Sequence, residues 1–130
     1  MKVIICLDDN NGMLFNNRRQ SRDSAVLEDI FASLGEEKLN IFQFSQKLFD
    51  SFGDRVSVCT TLMEQGTCFI ENIDLKSYEG NIDEIVVYRW NRVYPADFYC
   101  EIDFGAFNIV SELEFQGSSH DKITKIVYSR

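Results

Sequence analysis

The feature that most constrains this fold is a short apolar run near the start of the chain, Lys2–Leu7, which is followed by a strongly polar passage. The run is rich in β-branched residues, too short for a stable isolated helix, and apolar enough to be covered on both faces of a sheet. We therefore expect it to be a central strand. The polar passage, residues 8–23, carries three arginines and three aspartates around Gly12. This density of charge is typical of a loop that forms a site.

Helical spacing of apolar residues predicts an amphipathic helix after this passage. Ser21 or Asp23 can cap its start, and Gly35 stands where a left-handed residue commonly ends a helix. A short strand is predicted at residues 38–42. A second helix is expected after it, ending at Gly53.

The second half of the chain is predicted to be mainly strands. Strands are expected at residues 55–60, 67–71 and 84–90, with a helical turn at 74–78 and an antiparallel hairpin at 107–115 and 123–128. Helices between strands in the first part indicate a parallel sheet. The sequence therefore predicts a single α/β domain over residues 1–130, with three layers, a mainly parallel sheet and an antiparallel C-terminal hairpin.

Net charge and the cysteine pattern indicate which partners and which cell compartment to expect. The chain has 13 basic and 21 acidic residues, a net charge of -8 and a pI near 4.6. This field repels nucleic acid and anionic membranes, so neither is expected as a partner. The four cysteines lie in strand-like runs without a C-x-x-C pair, and the apolar start is too short for a signal segment. We therefore expect a cytoplasmic protein, and the spacing of acidic residues predicts no metal site.

Three short sequence motifs, near the start, in a later strand and at the end of the chain, follow one another in the order found in a known protein family. They are residues 3–8 followed by Asn11-Gly12-Met13, the strand Ile82-Asp83-Glu84-Ile85-Val86-Val87, and the closing Ile126-Val127-Tyr128-Ser129-Arg130. Together they resemble the first strand and mobile loop, a later strand and the chain end of the dihydrofolate reductase family. The resemblance implies a dihydrofolate reductase-like fold, with Asp23 in the place of the family's substrate-binding carboxylate.

The same resemblance implies that NADPH recognition is lost. Where the family has a Gly-Gly pair that lets phosphate approach the backbone, this chain has Glu71-Asn72. Two unit charges about 4 Å apart repel by roughly 4 kcal/mol at an effective dielectric of 20, so a carboxylate here opposes a pyrophosphate. The family's phosphate-binding Gly-Arg-Lys-Thr is replaced by residues 43–46. We therefore expect no cofactor, with NADPH disfavoured, and no reductase activity of the usual kind.

Candidate site residues follow from the charges and from the resemblance. Asp23 and His120 are the candidate catalytic pair, because His120 is the only histidine and the resemblance implies that its loop lies beside the N-terminal loop. The candidate ligand-binding residues are Gly12, Met13, Arg18, Arg19, Gln20, Arg22, Tyr88 and Trp90. Arginines can clamp an anion, and aromatic rings can stack on a flat ligand. The resemblance places Tyr88 where the family has the threonine that supports the carboxylate, so its hydroxyl could hydrogen-bond Asp23.

Each candidate also has a structural alternative. Asp23 can be a helix cap, the arginines can be surface residues paired with aspartates, and a histidine in a hairpin loop is usually exposed. The sequence contains no G-x-S-x-G or H-E-x-x-H pattern, so motifs do not indicate a serine hydrolase or a common metallohydrolase.

Three classes of function therefore stay open. The leading hypothesis is a binding protein with a degenerate dinucleotide site, whose partner is a small anionic or heteroaromatic molecule. The second is a divergent reductase or a nucleotide-directed hydrolase that uses Asp23 and His120. The third is a structural or assembly protein, for example a homodimer, if the aromatic residues at and after the end of the strand at 84–90 are exposed together.

Overall fold

The apolar run at the start of the chain forms β1, Lys2–Leu7, in the middle of a seven-stranded sheet. The structure, a computed structural model, describes residues 1–62 and 65–130. After β1 the elements are β2 (Gly12–Phe15), β3 (Arg18–Arg19), α1 (Ser24–Leu34), β4 (Leu39–Ile41), β5 (Val56–Val58), β6 (Thr67–Phe69), β7 (Glu84–Arg89), β8 (Phe98–Tyr99), β9 (Asn108–Phe115) and β10 (Ile123–Ser129), with 3₁₀ helices at Gln43–Ser45, Asp50–Arg55, Leu75–Asn81 and Phe104–Ala106.

The strand order of the large sheet is β5-β4-β6-β1-β7-β10-β9. β1 pairs in parallel with β6 and β7, and β4 pairs in parallel with β5 and β6. β10 is antiparallel to both β7 and β9. The predicted α/β class, the mainly parallel sheet with β1 at its centre and the antiparallel C-terminal hairpin are therefore confirmed.

The side chains of β1 alternate between two apolar cores, one on each face of the sheet. Val3, Ile5 and Leu7 are fully buried in the first core, and Ile4 is buried in the second. α1 covers the second face with its apolar side. Because the strand has no solvated face after its first residue, Lys2, residues 3–7 must be apolar or nearly so, which is the pattern that the sequence shows.

Both ends of α1 follow the expected local chemistry. Asp23 is the N-cap, and its side chain accepts a hydrogen bond from the backbone N–H of Ala25. Gly35 ends the helix with a φ of 62°, which costs a glycine little. Neither α1 nor the 3₁₀ helices of the described residues has the length and apolar character needed to span a membrane.

The predicted second α-helix is wrong. Residues 43–55 form two short 3₁₀ helices, and Gly53 has a φ of 56° inside the second of them. Phe52 stacks on Phe31 of α1 with 4.4 Å between ring centroids, and Phe49 packs edge-on against Phe69. A segment this short gains little from helix propensity, so packing of its aromatic rings on α1 and β6 decides its path.

The polar passage is an ordered hairpin, not an irregular loop. β2 pairs with β3 and with β8 in a separate three-stranded sheet. The fully buried Asp8 carboxylate holds the start of this hairpin in place. It accepts hydrogen bonds from the backbone N–H groups of Asn10, Gly12 and Tyr94 and from the Gln20 amide. Burial alone would raise the pKa of Asp8, but these hydrogen bonds lower it below its ordinary value.

Candidate functional site

A narrow cleft lies between α1, β3 and the carboxyl ends of β1, β6 and β7. In open α/β sheets, ligands bind outside the carboxyl ends of the strands, where the strand order changes direction. The chain runs from β1 outward to β4 and β6 on one side and then returns to β7 on the other, so the cleft lies at such a point. Six of the candidate residues line it: Met13, Arg19, Gln20, Arg22, Asp23 and Trp90.

Asp23 lies at the back of this cleft and is only 2% exposed. Its Oδ1 accepts from the N–H of Ala25 at 2.9 Å and from the N–H and hydroxyl of Ser118 at 2.8 and 2.9 Å. Its Oδ2 accepts from the N–H of Ser119 at 2.8 Å and contacts Nδ1 of His120 at 2.9 Å. A carboxylate offers about four lone-pair positions, so the chain's own groups occupy all of them.

These hydrogen bonds keep Asp23 ionised. Burial alone would raise the pKa of the carboxyl group, but the hydrogen bonds from Ser118, His120 and Ser119 hold the pKa of Asp23 well below its ordinary value. A carboxylate with so low a pKa is a weak base. Asp23 is therefore both the helix cap and an anchor for the loop at residues 117–120, and it suits the orientation of His120 better than direct proton transfer.

His120 is buried, not exposed as a histidine in a hairpin loop usually is. It is 5% exposed, and its ring stacks on Trp90 with 4.7 Å between centroids and 20° between planes. Since Nδ1 faces the ionised Asp23, that nitrogen carries the proton. The other nitrogen, Nε2, lies 3.1 Å from Oγ of Ser21 and 2.9 Å from the Tyr94 hydroxyl.

Arg19 forms an ion pair inside the cleft. Its Nε lies 2.5 Å from Oε2 of Glu71, and its Nη2 lies 2.6 Å from Oε1. The hydroxyl of Ser45 donates to the same Oε1 at 2.6 Å. Glu71 is 8% exposed, so this carboxylate points inward and occupies one end of the cleft.

The other candidate residues have different surroundings. Arg18 lies outside this cleft, beside an open groove that Phe15, Tyr94 and Pro95 also line. Arg22 is exposed at the mouth of the cleft. Gly12 is buried in β2, where a Cβ would lie 2.8 Å from that of Ala96, so its role there is to allow close packing.

The expected support of Asp23 by Tyr88 is a wrong prediction. The Tyr88 hydroxyl donates to Oδ2 of Asp29 at 2.7 Å, beneath α1, and Lys125 pairs with the same oxygen. The condition for an assembly surface, that the aromatic residues at and after the end of the strand at 84–90 are exposed together, is not met at Trp90, because the ring is 4% exposed and covered by His120.

Several residues of the site were missed by sequence reasoning. Ser21, Tyr94 and Gly117 carry no motif, and Ser45 lies in the segment at residues 43–46 that replaces a phosphate-binding motif of the resembled family. One signal was present in the run Gly117-Ser118-Ser119-His120, because a small residue followed by hydroxyls suits a loop whose N–H groups surround an anion. The anion is Asp23, which is 95 residues away in sequence from Ser118.

Comparison with known proteins supports the fold. No protein-family model matches the sequence, and no curated protein sequence matches it. The structure is similar to that of dihydrofolate reductase from Enterococcus faecalis complexed with NADP(H) and RAB-propyl, with a TM-score of 0.69 and 13% sequence identity, covering 99% of this chain and 95% of that chain. At this identity the likeness shows the fold alone, and the fold is dihydrofolate reductase-like, as the motifs implied.

Proposed function

We propose that this reductase-like domain binds a small heteroaromatic molecule with an anionic group in the cleft, and that it does not use NADPH. The observation that carries the proposal is a buried acceptor. Gln20 lines the cleft, and its Oε1 is buried with no donor among the described residues. Leaving such an atom unpaired costs about 1–3 kcal/mol, which a ligand N–H would recover.

The orientation of the Gln20 amide supports this role for Oε1. Its Nε2 donates to Oδ2 of Asp8 at 3.1 Å and to the Pro95 carbonyl at 3.2 Å. Both partners accept hydrogen bonds and cannot donate them, so the amide cannot be turned around without losing both. Oε1 therefore needs a hydrogen-bond donor from outside the described part of the chain, and many heteroaromatic rings carry an N–H group that can donate to it.

The walls and the mouth of the cleft fit the rest of such a molecule. Leu27, Phe69 and Ile70 line the cleft with apolar side chains, against which a flat ring can pack. Arg22 stands at the mouth, and no described carboxylate pairs with it. Its guanidinium can bind a carboxylate or a phosphate with two parallel hydrogen bonds.

The Enterococcus enzyme is complexed with NADP(H), but the residues of this chain do not fit that cofactor. Glu71 places a buried carboxylate where the resemblance puts the glycine pair, and Arg19 already neutralises it. A pyrophosphate would have to displace Arg19 from this pair, and it would then lie against the unpaired negative charge of Glu71. A repulsion of roughly 4 kcal/mol corresponds to about three decades in affinity.

Thermal unfolding in the presence of ligands tests both halves of the proposal. We expect pterin-6-carboxylate or a related bicyclic carboxylate to raise Tm by several degrees, because a ligand at 100 times its Kd adds about 2.7 kcal/mol to the free energy of unfolding. We expect NADPH to give no shift. A panel in which no such carboxylate stabilises the protein, or saturation by NADPH in the micromolar range, would contradict the proposal.

Matched variants locate the binding. Arg22→Ala is expected to weaken binding of the carboxylate about tenfold, because it removes a charge-assisted contact. Arg92→Ala removes an exposed arginine outside the cleft and is expected to leave the affinity unchanged. Glu71→Gly removes the buried carboxylate, and a gain of NADPH binding in this variant alone would identify Glu71 as the excluding group.

A further inference from the structure

Ser21, His120 and Asp23 lie in a row beside the cleft, and ligand binding as proposed above does not need this arrangement. Oδ2 of Asp23 is 2.9 Å from Nδ1 of His120, and Nε2 of the same ring is 3.1 Å from Oγ of Ser21. We propose that these three residues form a nucleophilic relay that hydrolyses carboxylic esters, with Ser21 as the nucleophile. Relays of this type recur on unrelated folds and are identified by geometry and role, not by sequence motif.

The far end of the relay is held in place by the chain around it. Asp23 is fixed by the backbone N–H groups of Ser118 and Ser119, and the loop that supplies them can approach because residue 117 is glycine. An ionised carboxylate in this position keeps the proton of His120 on Nδ1. In the neutral imidazole, Nε2 then offers a lone pair to the hydroxyl groups of Ser21 and Tyr94, as a general base requires.

The imidazole is held in one orientation and away from water. Trp90 stacks on one face of the ring, and the Tyr94 ring meets it edge-on with 6.3 Å between centroids. Burial matters because electrostatic interactions in a water-excluded site are stronger than in solution. The single tryptophan of the chain thus serves as a wall for the base.

Ser21 is the member of the relay that a substrate can reach. It is half-buried and lines the cleft next to Arg22, whereas Asp23 and His120 are only 2% and 5% exposed. Tyr94 brings a second hydroxyl, 2.9 Å from Nε2 and 3.4 Å from Oγ of Ser21. A hydroxyl beside the nucleophile can donate to the oxygen that becomes negative when Oγ attacks a carbonyl carbon.

The reaction balances with water as the only co-reactant. As Oγ of Ser21 bonds to the carbonyl carbon, its proton passes to Nε2 of His120, and Tyr94 donates to the oxyanion. The ester C–O bond then breaks, and the leaving alcohol takes the proton from Nε2. Water attacks the acyl-serine, gives a proton to Nε2, and the acid leaves as that proton returns to Oγ.

Covalent labelling tests the proposal without knowledge of the natural ester. We expect a fluorophosphonate probe to form one adduct per chain, located at Ser21 by mass spectrometry, and p-nitrophenyl acetate to be hydrolysed with release of nitrophenolate. Ser21→Ala is expected to abolish the adduct and to lower the hydrolysis rate by roughly 100-fold or more. Ser33→Ala, which removes a hydroxyl that binds Lys125 on the far part of α1, is expected to change neither.

Two further variants separate the roles of the other residues. Tyr94→Phe is expected to retain the adduct but to lower kcat by about 10- to 100-fold with little change in KM, as loss of an oxyanion donor does. His120→Gln is expected to lose both readouts, with circular dichroism used to verify that it folds. No adduct at Ser21, an adduct at another residue, or ester hydrolysis that survives in Ser21→Ala would overturn the proposal. These readouts do not involve the heteroaromatic ligand, so they can fail or succeed independently of it.

Discussion

A single missing Cβ at residue 117 allows the loop around Asp23 to form. A Cβ built on Gly117 would lie 2.8 Å from the backbone oxygen of His120 and would clash with the Asp23 carboxylate. Both neighbours are buried and bonded, so neither can move freely. Glycine is required here for space, not for an unusual φ.

Gly117→Ala is therefore expected to lower the free energy of unfolding by about 2 kcal/mol, as overpacking of a tight site does. Urea unfolding followed by the fluorescence of Trp90 measures it, because this ring lies against His120. The matched control is Gly80→Ala, where a Cβ would meet nothing within 4 Å. Equal effects of the two substitutions would contradict the tight approach at Gly117.

The ionised state of Asp23 predicts how stability changes in acid. Its folded pKa lies below the value of about 3.9 in the unfolded chain, so the unfolded state binds the proton more readily. The stabilisation is fully present above the unfolded pKa and is lost progressively as pH falls below it toward the folded pKa. Asp23→Asn is expected to be less stable at pH 7 and to show a weaker loss of stability between pH 5 and pH 2, measured by urea unfolding at each pH. A slope equal to that of the native protein would show that Asp23 does not carry the effect.

The ion pair in the cleft predicts different effects at two adjacent arginines. Arg19→Met leaves the buried Glu71 without its cation and is expected to cost about 2 kcal/mol, with Arg19 itself a quarter exposed. Arg18→Met changes an exposed residue on the same strand and is expected to cost less than about 0.5 kcal/mol. Thermal or urea unfolding of both variants compares them. Recovery of stability in Arg19→Met combined with Glu71→Gln would assign the cost to the unpaired carboxylate.

At the scale of elements, the β2–β3 hairpin depends on its two turn residues. Asn16 and Asn17 have φ values of 51° and 59°, and Phe15 pairs with Arg18 across them. Positive φ at both central positions is what a type I′ turn requires, and asparagine and glycine tolerate it best. The sequence contains this signal as Asn16-Asn17, and the charged passage around it is a hairpin and not an irregular loop.

Substitution at Asn17 is expected to change stability in opposite directions. Asn17→Gly should raise the free energy of unfolding by up to about 0.5 kcal/mol, and Asn17→Val should lower it by about 1–2 kcal/mol, because a β-branched residue disfavours positive φ. Thermal unfolding measures both. A Val variant as stable as the native protein would rule out a positive φ at this position.

The helices differ in how well local sequence patterns predict them. α1 was predicted within a residue or two, because its periodicity, its Asp23 cap and its Gly35 stop all act locally. The second helix failed because its rings pack on α1 and β6, which are contacts that no local pattern records.

At the scale of the whole molecule, position in the sheet decides what a substitution costs. Ile5 lies in the central strand and is fully buried, whereas Ile109 lies in the edge strand β9 and is 60% exposed. Ile5→Val is expected to cost about 1 kcal/mol, and Ile109→Val less than about 0.5 kcal/mol. Urea unfolding of the two variants compares the same chemical change at the centre and at the edge. Similar costs would be inconsistent with the strand order.

The edge strand β9 is exposed and is a surface through which two copies of the chain could associate. β9 presents unpaired backbone groups on one side, and Val110 is 63% exposed. The homodimer stays a prediction from the aromatic residues near the end of β7. The cytoplasmic location stays a prediction from the cysteine pattern and the short apolar start, and the lack of nucleic-acid and membrane partners stays a prediction from net charge. Sedimentation equilibrium tests the first of them.

Local patterns in the chain determined the α/β class, the central strand, the capped helix and the C-terminal hairpin, because hydrophobic period and caps act over a few residues. Tertiary structure alone decided that Asp23 and Glu71 are bound by groups of the same chain. Their partners Ser118 and Arg19 are 95 and 52 residues away in sequence, and only the fold sets such distances. The same long-range geometry placed Ser21 beside His120, which no motif in the sequence indicated.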